Sequence, residues 1–495
     1  MSTDGATATT AGKPAGGADF LQLTPASAPA RGLTTWLADA LRAGIIDGRL
    51  QAGSALPATR VLADDLGVSR GVIVEVYQRL REEGLVSARR GAGTRVLPVN
   101  PPHLRPLPQA VRPARRPPAP EATPVAVRLP LHRREPGEID LSPGVPDLSG
   151  FPRAAWLRAE REVLAQAKVT DLGYGDPRGS EWLREELAGW LARTRGLRAA
   201  PGDIIIVAGV AQALVLLAHW LRARGTPRLA VEDPGSRGVR DELAYWGLHP
   251  VPVPVDDRGL HVDALVRSGA RAAVLTPAHQ FPTGVVLAPQ RRRALLDWAA
   301  DDGLIIEDDY DAEYRYDRAP VPALQASAPD RIAYAGTTSK TLAPGMRLGW
   351  LVPPQWLHAD LVAAKHASDL GCPALPQLVL AQLIASGELE RHIRHARKRQ
   401  RSRRDALLSA LREHLPQARV QGVAAGLHLL LTFPDWPGEA DDTSLASRIR
   451  LAGVLVHPLS WHRQRTGPPG LVLGYAAHPP DQLREAARRI AHALT

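Results

Sequence analysis

The feature that most constrains this chain is the stretch from 98 to 138, which holds twelve prolines with seven arginines and three glutamates. Each proline fixes φ and lacks an N–H, so so dense a run cannot build a helix or a ladder, nor enclose a core. It is expected to be an extended, partly polyproline-like linker. Folding must therefore happen on either side, in a short segment, 31–97, and a long one, 139–495. At 495 residues the chain also exceeds what one ordinary core serves. The first 30 residues are expected to be a disordered tail: the first 18 are rich in Ala, Gly and Thr without the apolar run of a signal peptide. The most apolar segment, Ile204 to Leu221, is broken by Gly209, Gln212 and His219, which argues against a membrane span. A single cysteine, Cys372, excludes an internal disulfide framework and fits a reducing cytoplasm. The net charge of +10 is compatible with a polyanionic partner.

In the short segment, Leu37, Leu41 and Ile45 recur at helical spacing within 33–50. A second helix opens at Leu56-Pro57-Ala58-Thr59, with Val61, Leu62 and Leu66 apolar, and Gly67 ends it. Ser69 is placed to cap a third, 70–83, whose core face is read as Val72, Val76, Tyr77 and Leu80. After Gly84, residues 85–89 and 94–96 form a hairpin about Arg90-Gly91-Ala92-Gly93. Three helices and a basic hairpin follow the winged helix-turn-helix order. Arg60, Ser69 and Arg70 stand at helix starts, where phosphates and base edges are met, and Arg89, Arg90, Gly91 and Arg95 form the wing. Ten arginines against seven acids make the segment only modestly basic, so clustering matters more than the total. Leu56-Pro57-Ala58-Thr59-Arg60, Leu66-Gly67-Val68-Ser69-Arg70, Tyr77-Gln78-Arg79-Leu80 and Glu83-Gly84-Leu85 resemble the GntR-type winged helix, which implies an operator in double-stranded DNA. The sequence departs from that pattern at Gly71-Val72.

In the long segment, short apolar runs (204–207, 229–232, 273–276, 304–307 and 332–335) alternate with helical patterns at 211–222, 236–246 and 290–300. This predicts an α/β domain with a mostly parallel sheet covered on both faces. Ligands of such sheets bind beyond the carboxyl ends of the strands. Polar motifs fall there five times: Gly209-Val210-Ala211 opening a helix, Asp233-Pro234-Gly235, the run from Thr276 to Gly284, Asp308-Asp309-Tyr310, and Thr337-Thr338-Ser339-Lys340 with Arg347 beyond. Residues 388–414 read as an arginine-rich, solvated connector helix. It leads to a small α+β subdomain, about 388–495, with strands near 427–433, 454–456 and 471–475 and a closing helix at 480–494.

Lys340 carries the chemistry. The chain has five lysines against 56 arginines. An amine that can lose its proton can form a Schiff base with an aldehyde, and a guanidinium cannot. If the ligand is pyridoxal phosphate, Asp308 holds a proton on the pyridine nitrogen and Tyr310 meets the phenolic oxygen. Arg347, Thr337 and the helix start at Gly209, Val210 and Ala211 hold the phosphate. Gly173-Tyr174-Gly175-Asp176-Pro177-Arg178-Gly179, Glu232-Asp233-Pro234-Gly235, His279-Gln280-Phe281-Pro282-Thr283-Gly284, Glu307-Asp308-Asp309-Tyr310-Asp311 and Ser339-Lys340 resemble fold-type I aminotransferases. Behind a GntR-type winged helix, they make the whole similar to MocR-type regulators. That resemblance implies a pyridoxal phosphate-dependent transcription regulator of vitamin B6 or amino-acid metabolism, and a head-to-tail homodimer in which Tyr174 reaches across. It also implies a small-molecule effector, either the cofactor itself or an amino compound; a working aminotransferase with an appended DNA-binding domain is the enzyme alternative. Two departures stand out. Ser236 replaces the ring-stacking aromatic, which implies either a weaker hold on the cofactor or a ring contacted by another side chain, His279. Val472 stands where aminotransferases place the arginine for a substrate carboxylate, with Arg463 or Arg465 as substitutes.

Overall fold

The computed structural model describes residues 28, 32–89, 93–98, 137–317, 319–422, 424–434 and 441–494. The tail and linker expectations fall almost wholly outside these residues, as do Arg90, Gly91 and the side chain of Arg89. The chain divides into two units, Met1–Pro106 and Leu107–Thr495.

The first unit contains α1 (Leu33–Ile46), β1 (Ala55–Leu56), α2 (Thr59–Leu66), α3 (Arg70–Glu82), β2 (Val86–Arg89) and β3 (Gly93–Val96). Its antiparallel sheet has the order β1-β3-β2, so a two-residue strand that no pattern announced flanks the hairpin. Leu37, Leu41, Leu62, Ile73, Val76 and Leu80 are fully buried in its core. The α3 face is therefore Ile73, Val76, Tyr77 and Leu80, at i, i+3, i+4 and i+7. Val72, read as core, lies at the edge and is only partly buried, and Val61 is exposed. Gly67 closes α2 in the left-handed region (φ 64°), where a β-carbon would be strained. Arg42 of α1 donates twice to the buried Glu83 carboxylate, both at 2.6 Å, which ties α1 to the end of α3.

The second unit begins with β4 (Ile139–Asp140), α4 (Arg153–Gln166) and α5 (Glu181–Arg195). It continues through β5 (Ile205–Val207), α6 (Val210–Ala223), β6 (Arg228–Asp233), α7 (Arg237–Tyr245), β7 (His249–Asp256), β8 (Gly259–Leu260) and α8 (Val262–Ser268). Then follow β9 (Ala272–Leu275), α9 (Pro289–Ala300), β10 (Leu304–Asp309), β11 (Ile332–Thr337) and β12 (Gly349–Val352). Eight of these strands form one sheet, in the order β5-β12-β11-β10-β9-β6-β7-β8. The five anticipated strands are present. The run β11-β10-β9-β6-β7 is parallel, whereas β12 is antiparallel to both its neighbours, so the sheet is mixed. Apolar side chains from α6 and α10 (Gln355–Asp369) cluster with one face, and those from α8 and α9 with the other.

Beyond α11 (Ala374–Ala385) and α12 (Glu388–His414) lies a second sheet of β13 (Arg419–Gln421), β14 (His428–Thr432), β16 (His457–Pro458) and β17 (Gly470–Gly474). Between its strands come α13 (Asp442–Leu451) and β15 (Val454–Leu455), which pairs in parallel with β4, and α14 (Pro480–Leu494) closes the chain. The solvated-connector reading of α12 needs correction. Its inner face, including Leu389, Ile393, Ala396, Gln400, Leu407 and Leu411, is buried, and so is Arg403. Arg403 and Arg399 both meet the Asp147 carboxylate, at 2.9 and 3.2 Å.

Candidate functional site

The site lies at the carboxyl ends of β5, β10 and β11, and the antiparallel β12 assembles half of it. Because β12 lies between β5 and β11, the residues just before it reach the residues just after β5. Arg347 thereby donates to the carbonyl of Ala208. Two glycines permit this approach. A β-carbon on Gly349 would stand 2.9 Å from Gly209 Cα, and one on Gly209 would meet the Arg347 guanidinium at 3.2 Å. Gly209, at φ 82°, turns the chain from β5 into α6, whose first N–H groups have no partner within the helix. Gly209, Val210, Ala211 and Arg347 are thus brought together, as the sequence implies. The Thr337 hydroxyl instead serves the loop: it lies 2.8 Å from Ser339 Oγ, accepts from Ser339 N at 3.1 Å, and lies 3.3 Å from the Leu348 carbonyl.

Lys340 follows β11, and its Nζ donates to the Gly144 carbonyl at 2.6 Å. Burial lowers its pKa, against the pull of Asp311 and Asp308, which favour the charged form. Gly144 belongs to the loop that Asp147 pins to Arg399 and Arg403. The loop's contribution left no mark in the sequence.

Strand alternation sorts the acids of β10. Asp309 receives Arg195 Nε at 2.5 Å and the Tyr334 hydroxyl at 2.6 Å, while Glu307 accepts the N–H groups of Leu324 and Gln325. These two are structural. Asp308, between them, is buried, and its Oδ1 has no hydrogen-bond partner among the described residues. Burial, with Asp309 beside it, pushes its pKa up to about 7.

Tyr310 lies 3.1 Å from the His279 carbonyl and 3.2 Å from its Nδ1. The same Nδ1 is 2.9 Å from Asp311, and a β-carbon on Gly426 would overlap the His279 ring. His279 is therefore fixed by Asp311, Tyr310 and the close approach of Gly426. Ser236, at the position expected to lack the ring-stacking aromatic, caps α7 by accepting from Val239 N at 3.3 Å. Val472 of β17 is fully buried, in an apolar cluster with Leu430 and Leu459 against which Phe281 packs. The rings of His428 and His462 lie 4.9 and 5.0 Å from Phe281. Burial lowers both imidazoles: His428 falls well below its ordinary pKa, and His462, also beside His457, falls to about 3. Arg463, offered as a substitute cation, instead donates to the Pro468 carbonyl.

The bacterial regulatory protein gntR family model matches residues 33–96, and the aminotransferase class I and II model matches residues 136–490. Over 470 residues the chain is 36% identical to the HTH-type pyridoxine biosynthesis transcriptional regulator PdxR of Corynebacterium glutamicum, covering 94% of this chain and 96% of that one. The chain belongs to the MocR-type regulators. A second relative, the "Probable rhizopine catabolism regulatory protein MocR" of Rhizobium meliloti, is 32% identical over 92% of this regulator and 93% of its own length. Among solved structures, Pyrococcus horikoshii kynurenine aminotransferase, in complex with PMP, superposes with a TM-score of 0.66 at 28% identity. It covers 72% of this regulator and 91% of that chain. The fold-type I resemblance is therefore borne out over the large unit, and the GntR resemblance over the small one. Among the described residues, no helix is long and apolar enough to cross a membrane.

Proposed function

We propose that this MocR-type regulator, a cytoplasmic protein, carries pyridoxal phosphate on Lys340 and uses the state of that site to control how its winged helices meet an operator. The observation that carries the reading is Asp308: a buried carboxyl with one oxygen unpartnered, in the same site as the partly buried Lys340. A buried acceptor without a donor is costly, and a ligand that supplies the donor removes the cost. A protonated pyridine nitrogen is such a donor.

The bound cofactor supplies an aldehyde for an amine and an electron-withdrawing ring. The chain's residues do the rest. Lys340, its charged form disfavoured by burial, supplies the amine for the aldehyde. Asp308 holds the proton at the ring nitrogen. Tyr310, steadied by His279, serves the phenolic oxygen, and Arg347 with the first turn of α6 takes the phosphate. With Val472 buried among apolar residues, the position expected to hold the substrate-carboxylate arginine offers an α-carboxylate no cation. This favours the cofactor itself, or an amino compound without that carboxylate, as effector.

At the DNA, Arg60, Ser69 and Arg70 stand exposed at the starts of α2 and α3 and would meet the major groove and its phosphates; Arg89, Arg90, Gly91 and Arg95 would form the wing. Arg95 donates to the Gly53 carbonyl at 2.8 Å, which steadies the base of that wing. A homodimer is part of the proposal, with the exposed Val169, Leu172 and Tyr174 at its interface.

The test is the visible absorption of purified protein titrated with pyridoxal phosphate, beside Lys340→Ala. A band of lysine-bound cofactor in the wild type alone is expected. No band in either protein would overturn the cofactor assignment.

A further inference from the structure

Lys365 is one of the five lysines, and neither the winged helix nor the Lys340 chemistry uses it. It is fully buried in α10, and its Nζ donates to both oxygens of Asp369 one turn later, at 2.7 and 2.6 Å. Asp369 in turn accepts Gln212 Nε2 at 2.7 Å and Gly371 N at 3.0 Å. Burial works against the charge of this carboxylate, but the bonds from Gln212 and Lys365 outweigh it and hold its pKa below the ordinary value. Gln212 passes the connection on, because its Oε1 accepts the N–H of Ala208 at 2.8 Å. The carbonyl of Ala208 is the group that Arg347 holds.

Both backbone polar groups of the residue before Gly209 are thus fixed by side chains. One comes from the Lys365–Asp369–Gln212 chain and the other from Arg347. The next residue begins the turn that aims the N–H groups of α6. Oriented donors are effective when they need no reorganisation on ligand arrival.

We propose that Lys365, Asp369 and Gln212 are positioning residues for the phosphate end of the cofactor. They set the cradle's backbone and so confer preference for the phosphorylated over the unphosphorylated aldehyde. This rests on the cofactor reading above. It predicts a selective effect, since pyridoxal and pyridoxal phosphate share ring and aldehyde and differ only in the group the cradle receives.

The experiment titrates cofactor-free, full-length protein with each compound in turn and follows the visible band. Wild type, Asp369→Asn, Gln212→Ala and the double variant are compared. Asp369→Asn and Gln212→Ala are each expected to weaken pyridoxal phosphate about tenfold, the loss of one charge-assisted hydrogen bond's worth of order, and to leave pyridoxal within about twofold. The double variant should be no worse than the poorer single one, because the residues act in series. Equal weakening of both compounds, or no weakening of either, would overturn the inference while a wild-type band upholds the cofactor reading. Absence of the band in the wild type would overturn both. Gln212 is only partly buried, so its variant keeps the test open if Asp369→Asn fails to fold.

Discussion

Glu232, Glu307 and Asp308 stand at the ends of β6 and β10, and burial pushes each up to about 7. A carboxyl whose folded pKa is raised contributes stability below its unfolded pKa, and that contribution is lost as pH rises through the folded value. Cofactor-free protein is therefore expected to lose stability between about pH 4 and pH 7. Asp308→Asn should flatten that slope, since it removes one of the carboxyls that burial holds up in the folded state. Thermal unfolding followed across this range checks it, and identical slopes for wild type and variant would contradict the assignment. At this scale the sequence pointed to Lys340, through the scarcity of lysine, and to the strand-end position of Asp308. The physical difference between Asp308 and Asp309 is visible only in the fold, which puts Arg195 and Tyr334 on one side of β10 and an unpartnered oxygen on the other. The role of Asp369 was invisible for the same reason: its partner Gln212 is more than 150 residues away in the chain.

The apolar runs were legible as strands because both faces of the parallel core are covered, so no alternation dilutes them. Among the described residues seven strands escaped: β1, β4, β7, β8, β12, β13 and β16. β7 carries prolines at 250, 252 and 254, which read as a loop. β12 is short and lies within the lysine motif's own loop-like composition, and β1 is two residues long. The arginine density of α12 hid a buried face, since charge counts do not show which side of a helix the long stems cover. The segment from Val169 to Tyr174 presents the reverse case: Val169 and Tyr174 are 92% and 93% exposed, and such apolar exposure marks a contact surface. Light scattering on the full chain is expected to give the mass of two protomers, and Leu172→Glu with Tyr174→Glu to shift it toward one. A monomeric wild type would contradict the dimer.

For the whole molecule, the account joins a cofactor lysine in one unit to DNA recognition in the other. A ligand shifts such an equilibrium only by its differential affinity for the two states, and the coupling is reciprocal. On the proposed function, occupancy of Lys340 changes operator affinity, and operator changes cofactor affinity by the same factor. The most direct measurement is the affinity of full-length protein for its operator fragment at fixed salt, with and without pyridoxal phosphate, in wild type and Lys340→Ala. A change of at least about fivefold is expected in the wild type, the lower end of ordinary coupling energies, and none in the variant. Equal operator affinity with and without the cofactor in the wild type would contradict it.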